Sequence, residues 1–324
     1  MKKIVCLLLA VMLCFGVTGC TKDDGLEEIT LVLDWTPNTN HAGLFVAQEE
    51  GFFEDAGLKV NIIQPPEGGA EALVAAGKAQ FGISFQDSMA PALSAEEPLD
   101  IVAVAAICQH NLSGIISRSD KNIYTFSDLE GKSYATWGSP IEQSIIKHCM
   151  EEEGADFNKL NMIDSTVTDV LAALGTDMVD TVWVYEYWDV IKAEIEGFDF
   201  SYIDFISADD MLDYYTPVII TSGKYAESNG DVVKRFLTAV KRGYELTAAD
   251  TAVAAEALLK ADETLDSELV ARSLNLLQNY FLDDNGDWGN IDKDRWNGFY
   301  SWLYENNLIS KSLEDTGFNT EFLR

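Results

Sequence analysis

Residues 28–64 read EITLVLD WTPNTNH AGLFVAQEE GFFEDAG LKVNIIQ, and three patterns follow one another in that stretch. Glu28–Asp34 is short, apolar and β-branched, the pattern of a buried strand. Ala42–Glu50 carries helical spacing, with Gly51 just past its end. Leu58–Gln64 is a second strand. A strand, a covering helix and a second strand make a βαβ unit, whose strands run parallel. The pattern continues outward. Pro65-Pro66 and Gly68-Gly69 mark a turn, residues 70–76 a small-residue helix, 80–84 a short buried strand, 89–95 a helix and 100–107 a third long apolar strand.

A second unit begins near residue 118. Strand patterns at 133–137, 160–164 and 179–184 alternate with helical ones at 140–153, 167–174 and 187–195. Tyr214-Tyr215-Thr216-Pro217 leads into the strand-like VIITS of 218–222, after which the chain is mainly helical (231–248, 250–260, 267–280, 292–306). Extended segments near 112–118 and 216–222 join the two units, so the chain leaves the first, builds the second and returns. The expected architecture is α/β and two-lobed, with two crossings, a ligand cleft between the lobes and a helical C-terminal part. Lobe 1 is read as 28–115 plus 219–324 and lobe 2 as 116–218. Hinged clefts of this kind are preferred ligand sites.

The start of the chain reads as an address. Lys2 and Lys3 precede an apolar run from Ile4 to Val17, too short to span a bilayer and matching the core of a signal peptide. Val17-Thr18-Gly19-Cys20 resembles a bacterial lipobox. On this reading 1–19 is a signal peptide, Cys20 carries lipid, 20–27 is a tether, and the body sits on the outer face of the cell membrane. The alternative is an ordinary signal peptide cut near Gly19. Hydrophobic residues make up 47% of the chain and the formal net charge is −32. The first figure fits a globular body; the second argues against nucleic acid and against docking on an anionic membrane by charge. Cys108 and Cys149 can pair in an oxidising compartment, though buried free thiols suit their apolar surroundings better. No Cys/His cluster has metal spacing. Asp283-Asp284-Asn285-Gly286-Asp287 hints at a calcium loop, but Trp288 and Asp294 occupy the positions that need Gly and Glu.

Asp34-Trp35-Thr36-Pro37-Asn38-Thr39-Asn40-His41, then Ala42–Gln48 and Gly51-Phe52-Phe53, resembles the opening of a known family. That family includes the pyrimidine-precursor-binding proteins of thiamine-salvage ABC importers and the fungal hydroxymethylpyrimidine phosphate synthase. The chain is also similar to riboflavin-binding and, more distantly, to alkanesulfonate- and nitrate-binding receptors. Further matches are Ala75–Ser84, Gln109-His110-Asn111, Trp137–Glu142 and Tyr214–Pro217. The resemblance implies a periplasmic-binding-protein-like fold, a small heteroaromatic ligand and an ABC permease as partner; a monomer without cofactor is expected. It also bears on catalysis. The positions matching the fungal enzyme's pyridoxal-phosphate lysine and nearby histidine hold Ser84 and Ser88, and 209–217 lacks the enzyme's cysteines. No catalytic residue is expected, and a pyrimidine-synthesising enzyme is the disfavoured rival.

Each candidate ligand-binding residue carries two readings. Trp35 follows a strand end, where α/β folds place ligands; a flat ring there stacks on a heteroaromatic or packs into the core. Trp137, just before the helix start at Ser139, is a second stacking candidate. Asn38, Asn40 and His41 can hydrogen-bond a ring nitrogen or amide, or can satisfy their own Pro-containing loop. Gln86 and Asp87 follow the strand 80–84 and face the cleft, with Asp87 otherwise a helix N-terminal acid. Ser139-Pro140-Ile141-Glu142 is a capping box, so Glu142 reads as structural. Trp183 and Tyr185 share one side of a strand. Glu186, at the strand-to-helix turn, can accept two hydrogen bonds from an aminopyrimidine edge, or favour the helix dipole. The resemblance implies an acid after this strand, which supports the first use. Of Tyr214 and Tyr215, one is expected to line the cleft and one to pack. Riboflavin or a sulfonate is the rival ligand.

Overall fold

The computed structural model describes residues 25–66 and 68–323. The expected signal peptide, Cys20 and most of the tether lie outside the described residues. Among the described residues, ten strands form two mixed five-stranded sheets. The first contains β1 (Glu27–Val32), β2 (Leu58–Ile63), β3 (Phe81–Ser84), β4 (Val102–Ala106) and β10 (Val218–Thr221), in the order β2-β1-β3-β10-β4. The second contains β5 (Ser113–Arg118), β6 (Ser133–Thr136), β7 (Asn161–Asp164), β8 (Thr181–Tyr185) and β9 (Phe200–Asp204), in the order β7-β6-β8-β5-β9.

The two orders share one plan. β1 pairs parallel with β2 and β3, and β6 pairs parallel with β7 and β8. In each sheet the fourth place goes to an antiparallel strand that has just arrived from the other lobe. β10 lies between β3 and β4, and β5 between β8 and β9. This corrects the sequence reading of 112–118 and 216–222 as the crossings. Both are mainly interior strands of their destination sheets, and the connecting backbone runs through 107–112 and 205–217. A division at 115/116 would cut β5, whose register from Ser113↔Tyr185 to Ser117↔Thr181 holds it whole in the second sheet. β9, an edge strand, was not read from the sequence.

Side-chain alternation sends the two faces of each sheet into different packing layers. Ile29, Leu31, Phe81, Ile83 and Ile219 pack with the helices Ala42–Glu49, Gly230–Ala249, Thr251–Ala261 and Ser267–Leu277. Val32, Ala103, Val218 and Ile220 face the other way, toward Gly69–Ala75, Gln86–Ser94 and Lys293–Glu305. That second layer continues into the other lobe through Ile115, Phe126, Tyr134 and Ile145. The lobes therefore share an apolar seam beside Lys293–Glu305. Ala42–Glu49 and Gly230–Ala249 cross at small residues: a Cβ on Gly243 would lie 2.0 Å from Gly43 O, and one on Gly43 would lie 2.4 Å from the Tyr244 ring. Cys108 and Cys149 are both free and buried, in separate clusters. Among the described residues no helix is long and apolar enough to cross a membrane.

Candidate functional site

The shared sheet plan gives β1 and β6 equivalent places. A large exposed aromatic follows the carboxyl end of each: Trp35 is 52% exposed and Trp137 51%. Carboxyl ends of parallel strands are where α/β sheets bind ligands. Each tryptophan sits on a loop held by a buried polar network. After β1, Asn38 N donates to His41 Nδ1 (3.2 Å), which leaves the ring proton on Nε2, 2.5 Å from Asp34 Oδ1. The Asn38 side chain accepts from Asn40 N and donates to Thr36 O. After β6, the Glu142 carboxylate accepts from Tyr134 OH (2.6 Å), Thr136 Oγ1 (2.9 Å) and the backbone N–H of Trp137 and Ser139. The capping box expected at Ser139–Glu142 is present. Burial still pushes the Glu142 carboxyl up, against those four donors.

Trp137 meets Trp183 edge to face at 5.4 Å, and Trp183 leans on Phe205 of the second crossing at 4.0 Å. Two residues along β8, Tyr185 crosses to the first lobe. Its ring is 6.4 Å from Phe85, its hydroxyl 3.5 Å from Thr216 Oγ1, and its other ring neighbour is Tyr187. Trp137, Trp183 and Tyr185 thus make an aromatic wall that reaches the first lobe at Phe85. Phe85 and Thr216 were missed in the sequence; the signal available for Phe85 was its place between a strand end and a helix start.

Asp87 lies in the first turn of Gln86–Ser94, within electrostatic reach of Tyr185, Tyr214 and Tyr300. Burial raises its carboxyl from 3.8 to about 6, the backbone N–H groups of Ser88 and Asp87 oppose this, and Glu71 adds a smaller push upward.

Several other candidates are used up in holding the frame. Gln86 is fully buried. Its side chain donates to Trp296 O (2.9 Å) and accepts from Tyr215 N (3.0 Å), while its backbone N–H donates to Tyr215 O. Asn40 donates to Tyr187 OH at 2.6 Å, tying the first-lobe loop to the second lobe. Tyr214 stacks on Phe299 at 4.1 Å. Tyr215 accepts from Asp292 N and lies under the Arg295 guanidinium at 3.8 Å. Both tyrosines are buried, so neither exposes a face of the kind Trp35 does.

Glu186 has an acidic setting. Desolvation raises its carboxyl first, and the carboxylates of Asp204 and Glu194 add to that; its other electrostatic neighbours are Tyr202 and Tyr280. It follows Tyr185 at the start of a π-helical turn, Glu186–Val190, and strand alternation already places it off the face that Trp183 and Tyr185 share. The Asp283 carboxylate closes its own turn, accepting from Asn285 N, Asp287 N and Asn290 Nδ2. Among the described residues no group of three or more His, Cys, Asp or Glu is placed to hold a metal ion.

A family model described as NMT1/THI5 like matches residues 38–254. The chain is similar to the formylaminopyrimidine-binding protein of Halalkalibacterium halodurans, 29% identical over 317 residues, covering 93% of this chain and 92% of that protein. It is also similar to a 4-amino-5-hydroxymethyl-2-methylpyrimidine phosphate synthase of Saccharomyces cerevisiae, at 22% identity over 265 residues, covering 79% of this chain and 77% of the other. Among solved structures, the periplasmic aliphatic sulphonate binding protein of Escherichia coli shares the fold, with a TM-score of 0.69 at 17% identity over 88% of this chain and 89% of that one.

Proposed function

The chain belongs to the NMT1/THI5-like family, and from that premise we propose that it is an exported receptor that captures a small heteroaromatic solute between its lobes and delivers it to an ABC permease, leaving it chemically unchanged. The observation that carries the reading is the pair of half-exposed tryptophans, Trp35 and Trp137, at equivalent stations of the two sheets. Large apolar faces left open on rigid loops are poised to stack on a flat ring, and lobe closure buries them. Trp183 and Tyr185 extend the stacking wall, and Asp87 is its carboxyl. Asn38, Asn40, His41, Gln86, Tyr214 and Tyr215 act by holding loops and hinge.

The proposed ligand class is an aminopyrimidine. The Halalkalibacterium relative named for formylaminopyrimidine supports it, as does the absence of Lys and Arg among the wall residues named above, in a chain of net charge −32. That field opposes a sulfonate. A receptor is favoured over a synthase because Ser84, at the position of the fungal enzyme's lysine, donates its hydroxyl to Glu71 at 2.5 Å and offers no amine for a Schiff base. The lobe boundaries are proposed at 107–112 and 205–217, and the lipid anchor at Cys20. Cys20→Ala should release the protein from the membrane fraction of expressing cells.

A thermal-shift screen tests the ligand class. An aminopyrimidine at 100 times its Kd should stabilise by about 2.7 kcal/mol, a few degrees in Tm. Trp35→Ala and Trp137→Ala should each lose that shift while leaving the ligand-free Tm within about a degree, because both rings are half-exposed. A shift with riboflavin or a sulfonate alone would keep the receptor and replace the ligand.

A further inference from the structure

Resting on the aminopyrimidine reading, we infer that Asp87, and not Glu186, is the residue that selects the ligand, by pairing with its amino group and adjacent ring nitrogen as a carboxylic acid that holds one proton between them.

The placement comes first. Asp87 sits where the first lobe meets the aromatic wall: Phe85, two residues earlier, contacts Tyr185, and the Asp87 charge is felt by Tyr185, Tyr214 and Tyr300. Its neighbour Gln86 spends both ends of its amide on the frame, whereas no side chain among the described residues donates a hydrogen bond to the Asp87 carboxyl. A half-buried carboxyl without a side-chain partner, beside open aromatic faces, is a group awaiting a donor. Glu186 has a different setting: the groups that act on it or feel its charge are Asp204, Glu194, Tyr202 and Tyr280.

The protonation state then fixes the pairing. The titratable groups facing Asp87 are Glu71, Tyr185, Tyr214 and Tyr300; the tyrosines are neutral at physiological pH, and no cation is among them. Burial holds the carboxyl at about 6. A 4-aminopyrimidine edge offers one N–H donor beside one ring-nitrogen acceptor. A neutral carboxyl is its complement, one O–H donor beside one C=O acceptor. A carboxylate lacks the donor, so the pair must contain one proton, whichever partner carries it. At pH 7.5 empty Asp87 is mostly ionised and a 4-aminopyrimidine largely neutral. Binding therefore takes up about one proton, and affinity falls as pH rises above about 6.

Calorimetric titration of the full chain with 4-aminopyrimidine at pH 7.5, in buffers of different ionisation heat, reads the proton directly. Wild type should take up close to one proton. Asp87→Asn, whose amide presents the same donor and acceptor, should bind within about fivefold of wild type and take up none. Asp87→Ala should bind at least tenfold more weakly, yet bind 4-methylpyrimidine as wild type does, which also shows that it is folded. Glu71→Gln and Glu186→Gln should keep the proton uptake. Uptake that survives in Asp87→Asn, unchanged affinity in Asp87→Ala, or uptake lost in Glu186→Gln would overturn the inference while leaving the receptor intact. A wild type that binds riboflavin or a sulfonate and no aminopyrimidine would overturn the ligand reading and this inference together.

Discussion

Asp87 and Glu142 are both carboxyls raised by burial, and they differ in what surrounds them. Asp87 has no side-chain donor, so its ionised form destabilises the empty protein. Its folded pKa, about 6, lies above its ordinary 3.8; the folded state therefore binds the proton more tightly, and the cost is present above about pH 6 and gone below 3.8, where both states are protonated. Asp87→Asn should stabilise the ligand-free protein at pH 7 by up to about 3 kcal/mol and raise its Tm, and most of that gain should be gone by pH 4. Glu142 is wrapped by two hydroxyls and two backbone N–H groups. Glu142→Ala strands those donors and should cost about 2 kcal/mol or more in a urea melt. The capping role of Glu142 was legible, because Ser-Pro-x-Glu is a local signal. The His41–Asp34 contact was not: the spacing of seven residues gives no hint that the loop folds back on itself.

Helix starts are the elements that local chemistry writes most clearly. Asp250, Asp266 and Asp292 each accept from backbone N–H groups at the head of the helix that follows, and the expected helices near 250–260, 267–280 and 292–306 appear within a few residues of those bounds. The π-helical turn after β8 left no such mark. Packing between elements is likewise invisible until the fold is known. Gly243 looks like a helix-weakening residue in isolation, but it lets Gly230–Ala249 approach Ala42–Glu49 to within a backbone contact. Gly243→Ala should therefore destabilise, despite better helix propensity, by about 1–3 kcal/mol in a denaturant titration.

At the scale of the whole molecule, one carboxylate joins both crossings to the C-terminal helix. Asp213 accepts from Asn111 N (2.9 Å) and Arg295 Nη1 (3.2 Å) and lies 2.7 Å from His110 Nδ1, while Arg295 also donates to Gln109 O. The two chain segments on which the lobes would turn are thereby clamped at one point. Asp213→Ala should lower stability by about 2 kcal/mol and enlarge the ligand-free radius of gyration in small-angle scattering. The sequence by itself determined the α/β class, the two lobes and the loops that carry Trp35 and Trp137, because strand alternation, helix periodicity, caps and turn residues are all written in near neighbours; the family was legible through the resemblance carried by Asp34–His41. Only the tertiary structure decided that β5 and β10 enter the sheets they cross into and that Gln86, Tyr214 and Tyr215 are sealed into the frame. Those outcomes depend on distant partners, such as Gln86 with Tyr215, 129 residues along, and Trp296, 210 residues along, and on burial, which no local pattern specifies.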